Sequence, residues 1–416
     1  MKEQSAGILG AGLATPGTGK SAGRYRLILA NCRKLSAIDR LLKCSHLANW
    51  VEIAELESFV PLNVKVLYLC DFDLSKGAGK DRATSQKLSA LSSKVFKLEV
   101  ISNNFKGSFF RLLAIFLLDM KAFTYVVIRR PNWFISRGYA GGLSLLAAKA
   151  LGILTIREVH ANAREESSLL PYRGFKLWVI KNMAHLAHKI DISADIRIFN
   201  HPDLFEWYRK SGLSGPKDFY TYNGYDPASK CSVSKFDARK VFGFEKNDKI
   251  IVFVGAASKW RGVDYLVKLQ KELNVYDDNV RIVFGGGSIA EFDPEGLCVN
   301  FSPLGDVGCA QLIRAADFCA LPVKSNRVSP GSPLKLYDYI VNERFVLAQS
   351  ETNGYSDEVE RFSIGVPVDF TNSVVARKQI LDAFQADWSR KYPTCPVSWS
   401  DRMDEWVEGI LRNTTD

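Results

Sequence analysis

Lys335 and Asp338 stand three positions apart near the start of the segment SPGSPLKLYDYIVNERFVLA. Ser332 is a residue type that caps helices and Pro333 one tolerated at a first helical position, so a helix is expected to open here with unpaired N–H groups and its positive dipole end. Residues three apart share a helical face, which sets an ammonium at the mouth and a carboxylate one turn deeper. The chemistry that fits is a nucleoside diphosphate: the ammonium neutralises the diphosphate, and the carboxylate accepts hydrogen bonds from a ribose diol. An exposed intrahelical ion pair is the plain alternative.

Two further turns offer the same chemistry. In IVFVGAASKWRGVDYL an apolar run enters Gly255, followed by Ala256 and Ala257, which are small enough for a ligand to approach the backbone, with Lys259 and Arg261 as nearby cations. In VFGGGS, Gly285, Gly286 and Gly287 cost conformational entropy that a plain turn avoids, so they point to close approach of another group, a tight turn being the alternative. A fourth pattern competes. Ala14 to Ser21, within GLATPGTGKS, matches a loosened phosphate loop. Such a loop needs a strand before it and a helix after it, whereas a Gly/Ala-rich stretch precedes this one and the strand-like RYRLILAN follows. A flexible leader is the expected state of residues 1–23.

These turns must be held by a scaffold, and the chain is long enough for two domains: 416 residues, 47% of them hydrophobic. Apolar runs alternate with amphipathic stretches in the rhythm of a parallel sheet. Strands are expected at RLILAN, VKVLYLCD, KLEVIS, TYVVIR, LTIREVH, KIDISA and DFYTYN, and helices at Leu35 to His46, Phe109 to Ala122, Gly142 to Leu151 and Phe175 to Ala187. After YNGYDPASKCSVS the rhythm restarts with KIIVFVG, VRIVFGGG, CVNFSP, DFCALPV and RFVLAQS, and WSDRMDEWVEGILRN closes the chain as a helix. Two Rossmann-like units in series account for this pattern, and ligands of such sheets bind beyond the carboxyl ends of the strands, where all three turns lie.

Charge and cysteine content narrow the classes. The net charge of +10 is carried by the first half, where residues 1–225 hold 32 Lys and Arg against 18 Asp and Glu, while the remainder hold 23 against 27. A basic unit of this kind faces nucleic acid, an anionic membrane surface, or only water. Eight cysteines with no Cys-x-x-Cys pair suit reduced thiols, and the first 23 residues contain no apolar stretch of signal-peptide type, so a cytoplasmic protein is expected. The longest apolar segment, Phe109 to Met120, is interrupted by Arg111 and Asp119 and falls short of the ~20 residues of a span.

The order and spacing of these pieces resemble the GT-B glycosyltransferases, especially the large retaining nucleotide-sugar family (group 1), across essentially all of residues 24–416. VFVGAASKWRGVDYL resembles that family's FVG…KGVD turn, SPLKLYDY its helix opening, VNFSPLGDVGCAQLIRAADFCALPV its AAD…LP run, and REVHANAREE and TYNGYDP its EVH turn and interdomain hinge. The resemblance implies an α/β GT-B fold, two Rossmann-like domains facing across a cleft, with the C-terminal helix crossing back to the first. The implied boundaries are a leader 1–23, an acceptor domain 24–222, a linker 223–235, a nucleotide-sugar domain 236–385 and a helical segment 386–416.

The resemblance also implies roles. Lys335 and Arg261 hold the donor diphosphate, Asp338 the ribose, the Gly305–Asp306 turn the nucleobase, and His160 lies by the donor sugar. Gly255, Ala256, Lys259, Gly285, Gly286, Gly287, Ser332, Pro333 and Leu334 complete the donor side, and Glu158, Arg164 and Glu165 are acceptor-side candidates. No metal or cofactor beyond the donor is implied. Asp71 to Asp73 has the spacing of the acid pair of the GT-A architecture but lies opposite the donor turns, and His185 and His188 lack a third ligand. Three positions depart from the family pattern: Pro330 replaces the first cleft Glu, Ala256 an Arg and Ala161 an acid. The expected reaction is transfer of a sugar, with retention, to a glycan or lipid-linked glycan in polysaccharide biosynthesis at the inner face of a membrane. Lys106, Arg111 and Lys121, and the segment Pro171 to Lys181, would provide basic and apolar docking. The alternatives are a nucleotide-sugar epimerase of the same fold, a P-loop NTPase using Ala14 to Ser21, and a nucleic-acid-binding module; nucleic acid is not the expected partner.

Overall fold

The computed structural model describes residues 62–76, 79–103, 111–168, 173–277, 279–323, 333–350, 355–386 and 398–414. The phosphate-loop match, the RLILAN strand and the helix from Leu35 to His46 lie outside these residues, as do Lys106, Pro330 and Ser332.

The first sheet is built from β1 (Leu62–Cys70), α1 (Gly79–Ser92), β2 (Val95–Ser102), α2 (Arg111–Arg129), β3 (Trp133–Arg137), α3 (Gly142–Ala150), β4 (Leu154–Val159), α4 (Ala163–Ser168), α5 (Gly174–Ser193), β5 (Ile196–Phe199), α6 (Pro202–Lys210) and β6 (Phe219–Tyr220). The second follows with α7 (Lys235–Val241), β7 (Lys249–Gly255), α8 (Val263–Tyr276), β8 (Val280–Gly286), β9 (Val299–Phe301), α9 (Asp306–Ala315), β10 (Phe318–Leu321), α10 (Leu334–Val341), β11 (Phe345–Gln349), α11 (Tyr355–Arg361), β12 (Gly365–Val368), α12 (Ser373–Gln385) and α13 (Trp399–Arg412).

Every strand pair is parallel. A parallel sheet is covered on both faces by its crossover helices, so its central strands read as continuous apolar runs. β7 does so, with Ile250, Ile251, Val252 and Phe253 alternating between two buried clusters on opposite faces. The strand orders are β2-β1-β3-β4-β5-β6 and β12-β11-β10-β7-β8-β9. The second is the doubly wound dinucleotide order read from one edge, the first a flavodoxin-like order extended by one strand. Their switch points lie between β1 and β3 and between β7 and β10, and chain emerging at both lines one cleft.

Two expected strands are helix ends. TYVVIR is the last turn and a half of α2, and KIDISA closes α5. Short apolar runs satisfy either period, and here the preceding amphipathic turns extend through them. The strands in their place are WFISR and IRIF. The final helix is opened by a capping box between Ser398 and Asp401. Its stripe of Trp399, Met403, Trp406, Val407 and Ile410 packs with Tyr68, Ile135, Ile156 and Ile198 of the first sheet, so the chain's end returns to the lobe where the description begins.

Candidate functional site

The cleft encloses about 1160 Å³. On the second lobe its wall begins at β7, where Gly255, at φ +113, turns the chain. The glycines of VFGGGS serve this turn rather than a ligand directly: a Cβ on Gly286 or Gly287 would press on the backbone of Gly255 to Ala257, and one on Gly285 on Leu312. Gly286 and Gly287 therefore line the cleft as the second layer of a two-turn floor, while Gly285 faces the core.

α10 opens one residue later than the sequence implies. Its N-cap is Pro333, whose side chain offers no acceptor to the first amides of the helix. Leu336, Tyr337, Tyr339 and Ile340 bury the opposite face, and Tyr339 donates to the Ala320 carbonyl at 3.3 Å, which fixes the rotation of the helix. That rotation puts Lys335 and Asp338 into the cleft. The Lys335 ammonium is enclosed, lies 3.5 Å from the Phe253 ring centroid and has no hydrogen-bond partner among the described residues. Burial, then repulsion by Arg261, holds its pKa well below the ordinary 10.5, against a smaller pull from Asp338. Arg261 sits in the tight turn Lys259–Arg261, donates to the Ala256 carbonyl at 2.8 Å and lies over Trp260. The side chain of Lys259 is outside the description.

Asp338 accepts from Arg82 of the first lobe at 2.6 Å, and Asp306, the first residue of α9, lies 3.5 Å from the same guanidinium. Burial raises the Asp338 pKa above its usual range and Arg82 opposes the rise. Asp306 and Leu334 line the cleft; Gly305, the N-cap of α9, is not part of its wall.

The first-lobe wall is centred on the end of β4. His160 lines the cleft with both ring nitrogens engaged: Nε2 meets Glu158 and Nδ1 lies 3.2 Å from the Asn200 amide. An ionised carboxylate only accepts, so Nε2 carries the proton and Nδ1 receives the Asn200 N–H. Burial and the Arg137 charge push the His160 pKa down to about 4. Glu158 is 4% exposed and also takes hydrogen bonds from the Tyr68 hydroxyl, at 2.5 Å, and from the Lys87 ammonium. Despite burial, Lys87 and then Arg137 hold its carboxyl well below the usual range, while burial lowers Lys87 to about 8. Glu158 thus anchors His160 and is poorly suited to take a proton. On α4 the cleft is lined by Ala163 and Glu166, so the carboxylate there is Glu166, one place beyond the expected Glu165, and Arg164 also stays out of the wall.

Of the other acid and histidine candidates, Asp71 lines the cleft, while Asp73 closes its own turn by accepting from the Ser75 N–H at 3.0 Å. His188 is buried against Tyr208, and His185 is exposed one turn earlier. Among the described residues no three His, Cys, Asp or Glu side chains cluster for a metal.

The sequence reading did not find Arg82, Lys87, Tyr68 or Asn200. Arg82 and Lys87 sit in a polar helix whose pattern is that of any solvated surface, and each meets its partner far away in sequence, Arg82 at a separation of 256 residues and Lys87 at 71.

No family model and no curated protein matches the chain by sequence. Solved structures do. A sucrose-phosphate synthase from Thermosynechococcus elongatus aligns over 84% of this chain and 97% of its own, at 14% identity and a TM-score of 0.61. HepE from Anabaena, solved in complex with UDP, aligns over 84% and 98% at 16% identity and a TM-score of 0.57. A putative UDP-N-acetylglucosamine 2-epimerase from Listeria monocytogenes aligns over 85% and 97% at 12% identity and a TM-score of 0.55. The described chain therefore has the GT-B fold, two Rossmann-like halves facing across a cleft with a final helix that returns to the first.

Proposed function

We propose that the protein is a glycosyltransferase that moves a sugar from a nucleoside-diphosphate donor to a glycan or lipid-linked glycan, with retention. The observation that carries this reading is the enclosed Lys335 ammonium at the amino end of α10, which has no hydrogen-bond partner among the described residues and lies beside Arg261 and above a floor of small residues. An isolated buried cation is costly, and a diphosphate supplies the missing counter-charge. When the bond from sugar to diphosphate breaks, charge develops on the leaving oxygen. Lys335, Arg261 and the positive dipole end of α10 are fixed where that charge appears and need no reorganisation. Asp338 accepts from the ribose hydroxyls, Asp306 stands towards the nucleobase, and no metal is called on. His160, kept neutral by burial and the Arg137 charge and held in place by Glu158 and Asn200, orients the transferred sugar rather than moving a proton. That HepE was solved with UDP and with UDP-glucose supports a uridine nucleotide as the first donor to test.

A donor panel by thermal shift, followed by sugar release with acceptor present, tests the reading, because a ligand that binds only the folded state raises its melting temperature. Stabilisation by a nucleotide sugar that disappears in Lys335→Ala is expected; no response to any nucleotide would refute it. The epimerase neighbour keeps a second reading open. Conversion of the sugar nucleotide without acceptor, followed by NMR, would favour it.

The acceptor reading includes the membrane. Leu112, Phe116 and Leu117 on α2, Leu146 on α3 and Phe175 and Trp178 on α5 are exposed, with exposed Lys121, Lys176 and Lys181 beside them. Apolar rings edged by lysines suit an anionic lipid surface. Among the described residues no helix is long and apolar enough to cross a membrane. Co-sedimentation with anionic vesicles that is lost in Phe175→Ser/Trp178→Ser tests this contact.

A further inference from the structure

Helix α1 of the first lobe reaches into the donor side of the cleft through Arg82. Nη2 donates to Oδ1 of Asp338 at 2.6 Å and Nη1 lies 3.5 Å from Oδ1 of Asp306. The two carboxylates come from different helices of the second lobe and would repel one another across the cleft without a cation between them. Lys335 does not serve, since its ammonium has no hydrogen-bond partner among the described residues and no ion pair joins it to Asp338. The Arg82 and Asp338 side chains are 25% and 28% exposed, a setting intermediate between a surface pair and a core pair. Only one Asp338 oxygen is taken by the guanidinium. A carboxylate has four lone-pair sites, so it can hold Arg82 and a ribose diol together.

We propose that Arg82 is a positioning residue of the donor site supplied by the opposite lobe: it bridges Asp338 and Asp306, keeps the ribose-accepting carboxylate ionised and aimed, and makes nucleotide recognition depend on both lobes. The inference rests on the reading of Asp338 as the ribose acceptor. The groups that act electrostatically with Asp338 are Arg82 from α1, Asp306 and Cys309 from α9, and Lys335 and, from the buried face, Tyr339 of its own helix. Burial and Asp306 favour its protonated form, and Arg82 is the largest opposing influence. Without Arg82 the carboxyl is expected to be ionised only at higher pH.

UDP titrated into the full chain by calorimetry tests this, in wild type, Arg82→Ala, Arg82→Lys, Asp338→Ala and the Arg82→Ala/Asp338→Ala double variant. Arg82→Ala is expected to bind UDP about tenfold more weakly near neutral pH. The deficit should shrink as pH rises, Arg82→Lys should recover part of it, and the double variant should bind no worse than Asp338→Ala alone. Arg82→Gln carries the same test should Arg82→Ala fail to fold. Affinity that is unchanged or higher in Arg82→Ala, or losses that add in the double variant, overturns the proposal. If neither Asp338→Ala nor Lys335→Ala alters UDP binding, the donor-site reading itself fails, which separates the two failures.

Discussion

Replacing Lys335 by Met should make the empty protein more stable and the donor site worse. The perturbation removes an ammonium that is enclosed, has no hydrogen-bond partner among the described residues and is repelled by Arg261, and leaves an apolar chain of similar length. An unsatisfied buried polar group costs about 1–3 kcal/mol. The penalty is larger for a charged group, and the Phe253 ring, 3.5 Å away at its centroid, returns about 2 kcal/mol of it in a desolvated site. A lysine whose folded pKa lies below its unfolded value penalises the folded state most at low pH, where both states are charged. The penalty fades as pH rises towards 10.5. The Met variant should therefore melt a few degrees higher near neutral pH, at about 2–4 °C per kcal/mol. Nucleotide binding should move the other way. A hydrogen bond to a charged group contributes about 1.5–3 kcal/mol, so UDP should bind about 10- to 100-fold more weakly. Calorimetry in two buffers of different ionisation enthalpy at about pH 9 should show proton uptake on UDP binding in wild type and none in the variant. A lower melting temperature for the empty variant, or unchanged UDP affinity, would refute the reasoning.

Other expectations follow from the same contacts. Lys87→Met removes the nearest counter-charge of the buried Glu158 carboxylate, leaving Arg137, and should cost about 3 kcal/mol in urea unfolding, with part regained in Lys87→Met/Glu158→Gln. His160 should stay neutral down to about pH 4 by nitrogen NMR, and its share of the stability should fall from about pH 6.5 towards 4 as the unfolded chain takes the proton first; titration between pH 5 and 8 would contradict the buried tautomer. Gly262 has φ +72 and no room for a Cβ against the Pro322 carbonyl, so Gly262→Ala should lose at least about 2 kcal/mol by denaturant titration. Trp406→Ala should cost about 3–5 kcal/mol, because it empties the core beneath the returning helix and leaves the Thr221 hydroxyl without its 2.9 Å donor.

What the sequence could and could not reveal divides along physical lines. Strands buried on both faces, such as KIIVFVG and VRIVFGG, announce themselves because their central residues form unbroken apolar runs. The opening of α10 was legible to within one residue, since a proline beside an apolar run marks a helix start. TYVVIR misled because β-branched residues at the end of a long helix have the same composition as a strand, although only Val126 of them is buried. IRIF was missed because a charge, Arg197, interrupts it, and that charge is satisfied only at a distance in sequence: the Arg197 N–H and guanidinium both meet Asp218. The polar half of the site was the least legible. Glu158 reads as a cleft acid, and only its contacts with Lys87, Tyr68 and His160 show it to be an anchor. Arg82 carries no local signal, because what gives it meaning is a carboxylate on the other lobe.

The central claim is that a diphosphate supplies the counter-charge missing at Lys335. A crystal structure of the protein with UDP tests it most directly. The account predicts phosphate oxygens within hydrogen-bond distance of Lys335 Nζ and the first amides of α10, with the ribose on Asp338. A nucleotide bound elsewhere, or bound in the cleft with the Lys335 ammonium still unpartnered, would contradict it.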